Sequence, residues 1–276
     1  MTAAEALAGA TTALERAGVD TPAVDAEWLL AHVLGATRSE LQAARGRELS
    51  AEEERQFLGY VERRVRREPL AYVLGEWGFR GLTLAVDARA LVPRPETEIV
   101  VERCLALLAG VDEPRVLDIG AGSGAIALAI ADEHPGARVV AVDSSEAALA
   151  LAAENRERVG VDGRVRLVQG DLLAGLEGPF ELVVSNPPYV DADTWKELQP
   201  EIRLYEPRSA LVGSGVGETI ARDARSLLAP SGRVVLEAGD GQAALLGAAL
   251  EALGYDEVRI TPDLAGRARV VEGRRP

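Results

Sequence analysis

The sequence predicts an α/β protein, a mainly parallel, doubly wound sheet preceded by a small helical domain. Three observations predict it. From residue 115 onward, short apolar runs alternate with helical patterns, which is how parallel sheets are built. The first of those runs, Arg115–Ile119, passes directly into Gly120-Ala121-Gly122-Ser123-Gly124 and then the helix AIALAIADEH. Ahead of residue 75 the chain reads as short helices.

Taking the elements in order, Thr2 with Glu5 forms a capping box and Gly18 a stop. Thr21-Pro22 restarts a helix, with proline at its first position, that runs through Trp28, Leu29 and Val33 to Gly35. Ser50 with Glu53 opens another, with Phe57, Val61 and Val65 along one side. Its far end, ERRVRRE, puts Arg63, Arg66 and Arg67 on a shared face, either a solvated face paired with glutamates or a docking patch for an acidic or nucleic-acid-bearing partner. From Trp77 to Val86 the period becomes strand-like between Gly75, Gly78 and Gly81, a hairpin that places the domain boundary within Gly75–Ala90. Pro93 and Pro95 then hold PRPETE extended until Glu96 opens a helix with Ile99, Val100, Cys104, Leu105 and Leu108 toward a core. As a plain alternative, PRPETE is a stiff linker with an acidic helix start.

The second part continues with a strand over Arg138–Val142 that stops at Asp143, and a helix from Ser145 to Val159. Val165–Val168 leads to Gly170-Asp171-Leu172, and Phe180–Ser185 leads to Asn186-Pro187-Pro188-Tyr189. A helix around Glu218–Leu228, a strand at Arg233–Glu237, a helix through Ala243–Leu253 and strands near Glu257–Ile260 and Ala268–Val271 complete the chain. Ligands of such sheets bind beyond the carboxyl ends of the strands. The three loop motifs all follow strands and are expected to meet on one edge.

Composition removes several function classes. A net charge of −14 disfavours a protein whose main partner is duplex DNA. With only His32 and His134, a histidine-centred triad or a zinc site is improbable, and no metal is expected. One cysteine, Cys104, excludes an internal disulfide and suits a reducing compartment, hence a cytoplasmic protein. The N-terminus lacks the basic-then-apolar pattern of a secretory signal, and nothing approaches a membrane span.

Asn186-Pro187-Pro188-Tyr189 carries the chemistry. Proline cannot donate to a sheet ladder and forces the residue before it into extended geometry, so two in a row end the strand and leave carbonyls free. With the Asn186 side-chain oxygen, these carbonyls can offer neutral acceptors to one NH2 group, and Tyr189 a flat surface beside it. An amide nitrogen is a poor nucleophile that no side chain deprotonates near neutral pH. Gripping both its N–H bonds orients it and stabilises the positive charge that grows during attack on an electrophilic carbon. The bland alternative is a simple turn.

The glycine loop allows close backbone approach and offers amides at a helix start as an anion site. It also fits the G-x-G-x-x-[GA] dinucleotide pattern, with Asp143 about where a ribose-binding acid belongs. An acid at Asp118 before the loop, a ribose acid at Asp143 and a polar Asp171 suit S-adenosylmethionine, which has no phosphates. Asp171 would accept from the adenine amine, or serve as a strand-end cap. Leu172 would touch the adenine ring.

Together DIGAGSGAIALAIA, AVDSSEAAL, QGDL and SNPPYV resemble class I S-adenosylmethionine-dependent methyltransferases. PRPETE, YEPRSAL, LEAGDGQ and DLAGR narrow the resemblance to the HemK/PrmC family, glutamine methyltransferases of peptide chain release factors. The resemblance implies a Rossmann-like sheet of seven strands whose last hairpin is antiparallel. It also implies a substrate-docking helical domain at residues 1–74, a hairpin linker at 75–92 and a methyltransferase domain at 93–276.

The implied reaction is methylation of the glutamine amide in the Gly-Gly-Gln loop of release factors, by a monomer, with S-adenosyl-L-homocysteine as product and no DNA or membrane partner. Asn186, Pro187 and Tyr189 would be catalytic, and would bind substrate together with Pro188. Gly120, Ala121, Gly122, Ser123, Gly124, Asp143, Asp171, Leu172 and Asn186 would line the cofactor pocket. Leu172 stands where members often carry an aromatic residue, and Arg94, Thr97 and Glu98 are expected to wall the methionine end. The competing readings are a glutamine methyltransferase for a ribosomal protein, an amino-methyltransferase for nucleic acid, and a non-catalytic cofactor sensor. The intact tetrad speaks against the last, and the charge and lack of a basic recognition region against the nucleic-acid reading.

Overall fold

Capping side chains delimit the N-terminal helices. Thr2 and Ser50 each form the expected reciprocal box, with Glu5 and Glu53, and Thr37 forms a third with Glu40 that opens the short helix Arg38–Ala43. Thr21 behaves differently: its hydroxyl donates to Asp25 Oδ1 at 2.7 Å rather than capping backbone N–H groups. Helices Ala3–Arg16, Pro22–Leu34 and Ala51–Val65 bury Leu14, Leu29, Leu30, Phe57 and Val61 in one core. Val65 remains exposed, because the helix ends there.

The computed structural model describes all 276 residues, and the chain divides into two units: residues 1–76 with 199–205, and residues 77–198 with 206–276. The return of residues 199–205 to the first unit was not legible in the sequence. Glu201 is buried there, and its carboxylate takes Arg64 at 2.8 Å and Arg67 at 2.6 Å, while Arg64 also reaches the buried Asp25 at 2.7 Å. Burial works to raise the Glu201 pKa, but the hydrogen bonds from Arg67 and Arg64 hold it below the ordinary value.

Of the two readings of ERRVRRE, these contacts favour a charged face paired with glutamates. Arg63 donates to the carbonyls of Tyr72 and Val73 and pairs with Glu68, Arg66 pairs with Glu62, and Arg67 also donates to the carbonyls of Ala17 and Gly18. Arg63 and Arg67 are held by the protein's own acceptors, and Arg66 pairs with Glu62 at the surface.

In the second unit, strands β1 (Glu76–Phe79) and β2 (Leu82–Ala85) form a hairpin whose Phe79 and Leu84 belong to the core beneath the large sheet. That sheet contains β3 (Arg115–Ile119), β4 (Arg138–Asp143), β5 (Val165–Gln169), β6 (Phe180–Ser185), β7 (Leu228–Glu237), β8 (Asp256–Pro262) and β9 (Ala268–Arg274). Its order is β5-β4-β3-β6-β7-β9-β8, parallel through β7 and antiparallel in the last two pairings. This is the expected doubly wound sheet of seven strands. Helices Pro95–Leu108 and Ala125–Glu133 cover one face, and Val216–Leu227 and Ala243–Ala252 the other. Fully buried Leu117, Val183, Val184 and Val235 fill the central strands, each contributing on the order of 1.5–3 kcal/mol by leaving water. No helix is long and apolar enough to cross a membrane.

Candidate active site

The carboxyl ends of β3, β4 and β6 open onto one cavity of about 360 Å³. Its wall includes Gly120, Ala121, Gly122, Ser123, Asp143, Asp171, Leu172, Asn186 and Pro188, so the three loop motifs do meet on one edge. Arg94 and Thr97 of PRPETE, and Pro207, Ser209 and Ala210 of YEPRSAL, complete it. Of the remaining residues singled out by the sequence, Pro187 and Tyr189 line a second cavity of about 250 Å³, whose wall also includes Pro188 and Glu237.

Gly124, Asp118 and Glu98 are not part of the main wall. Gly124 caps the helix Ala125–Glu133 at φ +85°, and a Cβ there would come within 3.1 Å of Leu128 and 3.3 Å of Ala152. It serves close packing of the helix instead of facing the cavity. Asp118 is fully buried and accepts from the Ala127 N–H at 3.1 Å, its other oxygen having no partner. Burial pushes its carboxyl up to about 7, with the Ala127 N–H opposing and the Asp143 charge assisting. Glu98 accepts from the Arg80 N–H at 2.8 Å and so holds the β1–β2 turn, where Arg80 sits at φ +50°.

The glycine loop is built as a wall. Gly120 and Ala121 donate to the Val142 carbonyl at 2.8 and 3.0 Å, Gly122 to Asp143 Oδ2 at 2.8 Å, and Gly124 to the Ala121 carbonyl at 2.8 Å. Those four amides are committed to protein acceptors, which leaves the N–H groups of Ser123, Ala125 and Ile126 as the donors at the helix start on the cavity side. Asp143 Oδ1 also accepts from Ser145 N–H at 2.8 Å, which fixes the carboxylate while each oxygen retains a lone pair for a hydroxyl. Leu172, at φ +51°, and Val142 add apolar wall.

Two supports escaped the sequence reading. Asn155, fully buried, joins the loop to the hairpin: its Oδ1 accepts from Ala85 N–H at 2.7 Å and its Nδ2 donates to the Ser123 and Ala85 carbonyls, both at 3.0 Å. Glu206 of YEPRSAL, also buried, takes both contacts from Arg94 Nη2, at 2.6 and 2.7 Å. Burial raises the Glu206 pKa, against the pull of the Arg94 charge.

The end of β6 has the opposite character. The Ser185 hydroxyl donates to the Ile119 carbonyl at 2.6 Å and locks the strand end beside β3. The Asn186 amide donates from Nδ2 to Thr97 Oγ1 at 3.1 Å, and no protein donor reaches its Oδ1 or the carbonyls of Asn186 and Pro187. The following chain is pinned, since Gln242 Nε2 donates to the Tyr189 carbonyl at 3.0 Å and Val190 N–H to the Leu211 carbonyl at 2.8 Å. The Tyr189 hydroxyl donates to Glu237 Oε1 at 3.3 Å. Its pKa is pushed up to about 12 by burial and by the Glu237 charge. Asn186 Oδ1 is thus a neutral acceptor without a protein donor on the main cavity, and the Pro187 carbonyl, also without one, belongs to a buried residue that lines the second cavity.

Residues 5–75 match the PrmC N-terminal domain, and residues 97–203 the methyltransferase small domain. The chain is similar to the release factor glutamine methyltransferase of Deinococcus radiodurans, with 44% identity covering 98% of this chain and 97% of that protein. It is also similar to that of Caulobacter vibrioides, with 39% identity covering 99% and 96%. Among solved structures, a 16S rRNA methyltransferase (RsmC) of T. thermophilus in complex with AdoMet and guanosine shares the fold, with TM-score 0.55, 20% identity, and coverage of 73% of this chain and 50% of that one.

Proposed function

The chain belongs to the release factor glutamine methyltransferase family, and we propose that it moves the methyl group of S-adenosyl-L-methionine onto the side-chain amide nitrogen of the glutamine in the Gly-Gly-Gln motif of peptide chain release factors. The observation that carries the reading is Asn186 on the main cavity with its nitrogen turned away to Thr97 and no protein donor on its Oδ1 or on the Pro187 carbonyl that follows it.

When bound, the cofactor supplies an electrophilic methyl carbon and leaves as S-adenosyl-L-homocysteine. The cavity residues fit it: Asp143 would hold the ribose hydroxyls, Leu172 and Asp171 would serve the adenine ring and its amine, and Arg94 and Thr97 would wall the methionine end. Asn186 Oδ1 and the Pro187 carbonyl each accept one N–H of the glutamine NH2, and Tyr189 packs beside it. Stabilising the charge that grows on the nitrogen is worth ~3–4 kcal/mol per group in comparable sites. No protein base is required, because the alkylated nitrogen is acidic enough to release its proton to water.

The partner is a cytoplasmic release factor, and the protein acts as a monomer. The test is mass spectrometry of a purified release factor after incubation with the protein and labelled cofactor. One added methyl on the Gly-Gly-Gln peptide supports the reading, whereas label only on a ribosomal protein or on nucleic acid contradicts it.

A further inference from the structure

An asparagine amide is nearly symmetric in shape but not in chemistry. If Asn186 presented its nitrogen to the substrate, two NH2 groups would face each other and the clasp would repel what it must hold. Something has to select the oxygen. We propose that Glu237 and Thr97 are positioning residues that set the polarity of the Asn186 amide, and this deepens the function proposed above and rests on it.

The argument is a proton count along three side chains. The Thr97 hydroxyl has a single proton, which it donates to Glu237 Oε2 at 2.7 Å. Burial raises the Glu237 pKa, with the Thr97 hydrogen bond and the Arg269 charge opposing, and in its ionised form the carboxylate only accepts, which gives this bond one direction. With its proton committed, Thr97 Oγ1 can only accept from Asn186, so the amide must turn Nδ2 toward Thr97, at 3.1 Å, and Oδ1 toward the substrate side. The other Glu237 oxygen accepts the Tyr189 hydroxyl at 3.3 Å, so one carboxylate holds two members of the tetrad. Glu237 closes β7 with only 2% of its surface exposed and does not line the main cavity, so it acts through Thr97 and Tyr189. If packing alone were required at this strand end, an apolar side chain would avoid the desolvation of a charge.

Isosteric substitution separates polarity from packing. In Glu237→Gln the new amide can point its NH2 at Thr97 Oγ1, which frees the Thr97 proton for Asn186 Oδ1 and lets Asn186 flip. Thr97→Val removes the relay, and Thr97→Ser keeps it. The measurements are kcat and KM with a purified release factor, affinity for S-adenosyl-L-homocysteine by calorimetry, thermal midpoint, and the Asn186 side-chain NH2 resonances in 15N NMR, assigned with Asn186→Ala.

Thr97→Val and Glu237→Gln are expected to lower kcat ~10- to 100-fold, with nucleoside affinity within about threefold of wild type. Thr97→Ser is expected to recover most of the loss. The Asn186 NH2 pair should show a hydrogen-bonded proton in the wild type and in Thr97→Ser, and lose it in Thr97→Val. Wild-type kcat in Glu237→Gln or Thr97→Val would overturn the proposal, as would unchanged Asn186 resonances in Thr97→Val. So would a loss of nucleoside affinity in step with kcat. If the wild type transfers no methyl to a release factor, the functional reading fails, and the resonances still decide the polarity of the amide.

Discussion

The two walls of the main cavity are built on opposite rules. In the glycine loop nearly every polar backbone group is committed: Gly120, Ala121, Gly122 and Gly124 all donate within the protein, and Asp143 accepts from two backbone N–H groups. At the end of β6 the donors are committed and the acceptors are left open, because two prolines supply no N–H and Thr97 has taken the Asn186 nitrogen. A wall with most of its hydrogen bonds satisfied defines shape. A wall with acceptors held open performs chemistry, and the structure retains it only because Ser185, Gln242 and Glu237 fix everything around it.

The sharpest way to break this contrast is to remove the open acceptor. Asn186→Ala is expected to lower methyl transfer by ~100-fold or more while cofactor affinity stays within a few-fold, as labelled-methyl kinetics and calorimetry would measure. Equal losses of binding and turnover would mean that the two walls are not separate in function.

Asp118 offers the next largest effect, on stability. Its carboxyl, raised by burial to about 7 from the ordinary 3.8, binds the extra proton in the native state. The contribution is full below about pH 3.8 and is lost as pH rises through about 7, at about 1.4 kcal/mol per unit of displacement. Asp118→Asn keeps an acceptor for Ala127, so the stability of this variant relative to wild type should grow between pH 4 and 8 in denaturant titrations. A constant difference would contradict the assignment.

Asp143→Ala is expected to weaken nucleoside binding ~10-fold, because the variant loses the ribose acceptor and also frees the Gly122 and Ser145 N–H groups. Calorimetry with S-adenosyl-L-homocysteine checks this, and unchanged affinity would place the ribose elsewhere. The smallest effect is expected from Gly124→Ala, where a positive φ and the Leu128 and Ala152 contacts cost about 1–2 kcal/mol of stability in denaturant unfolding with the site chemistry intact. A loss of activity without a loss of stability would return Gly124 to the cavity wall.

The sheet was legible because its signals are local. Apolar runs such as Leu182–Val184 end at punctuating residues, and each loop motif follows a strand, so the edge on which they meet needs no long-range information. The character of the loop was not legible. Whether a glycine N–H is free or donated depends on Val142 and Asp143, which come from another strand. Asp118 resembled a ligand acid for the same reason, since only its burial shows that it holds a helix from beneath.

Glu237 was missed for want of a partner in sequence: its contacts, Thr97 and Tyr189, lie 140 and 48 residues away. The available signal was an acid ending the apolar run VVLE. Likewise Arg67 read as part of a charged face until Glu201, distant in sequence, met it in the first unit.

The central claim is tested most directly by a crystal structure of the protein with S-adenosyl-L-homocysteine and a release factor peptide containing the Gly-Gly-Gln segment. The account predicts the glutamine nitrogen at about 2.9 Å from both Asn186 Oδ1 and the Pro187 carbonyl, facing the nucleoside sulfur. A glutamine amide bound away from those two oxygens, or an Asn186 that presents its nitrogen to the peptide, would contradict it.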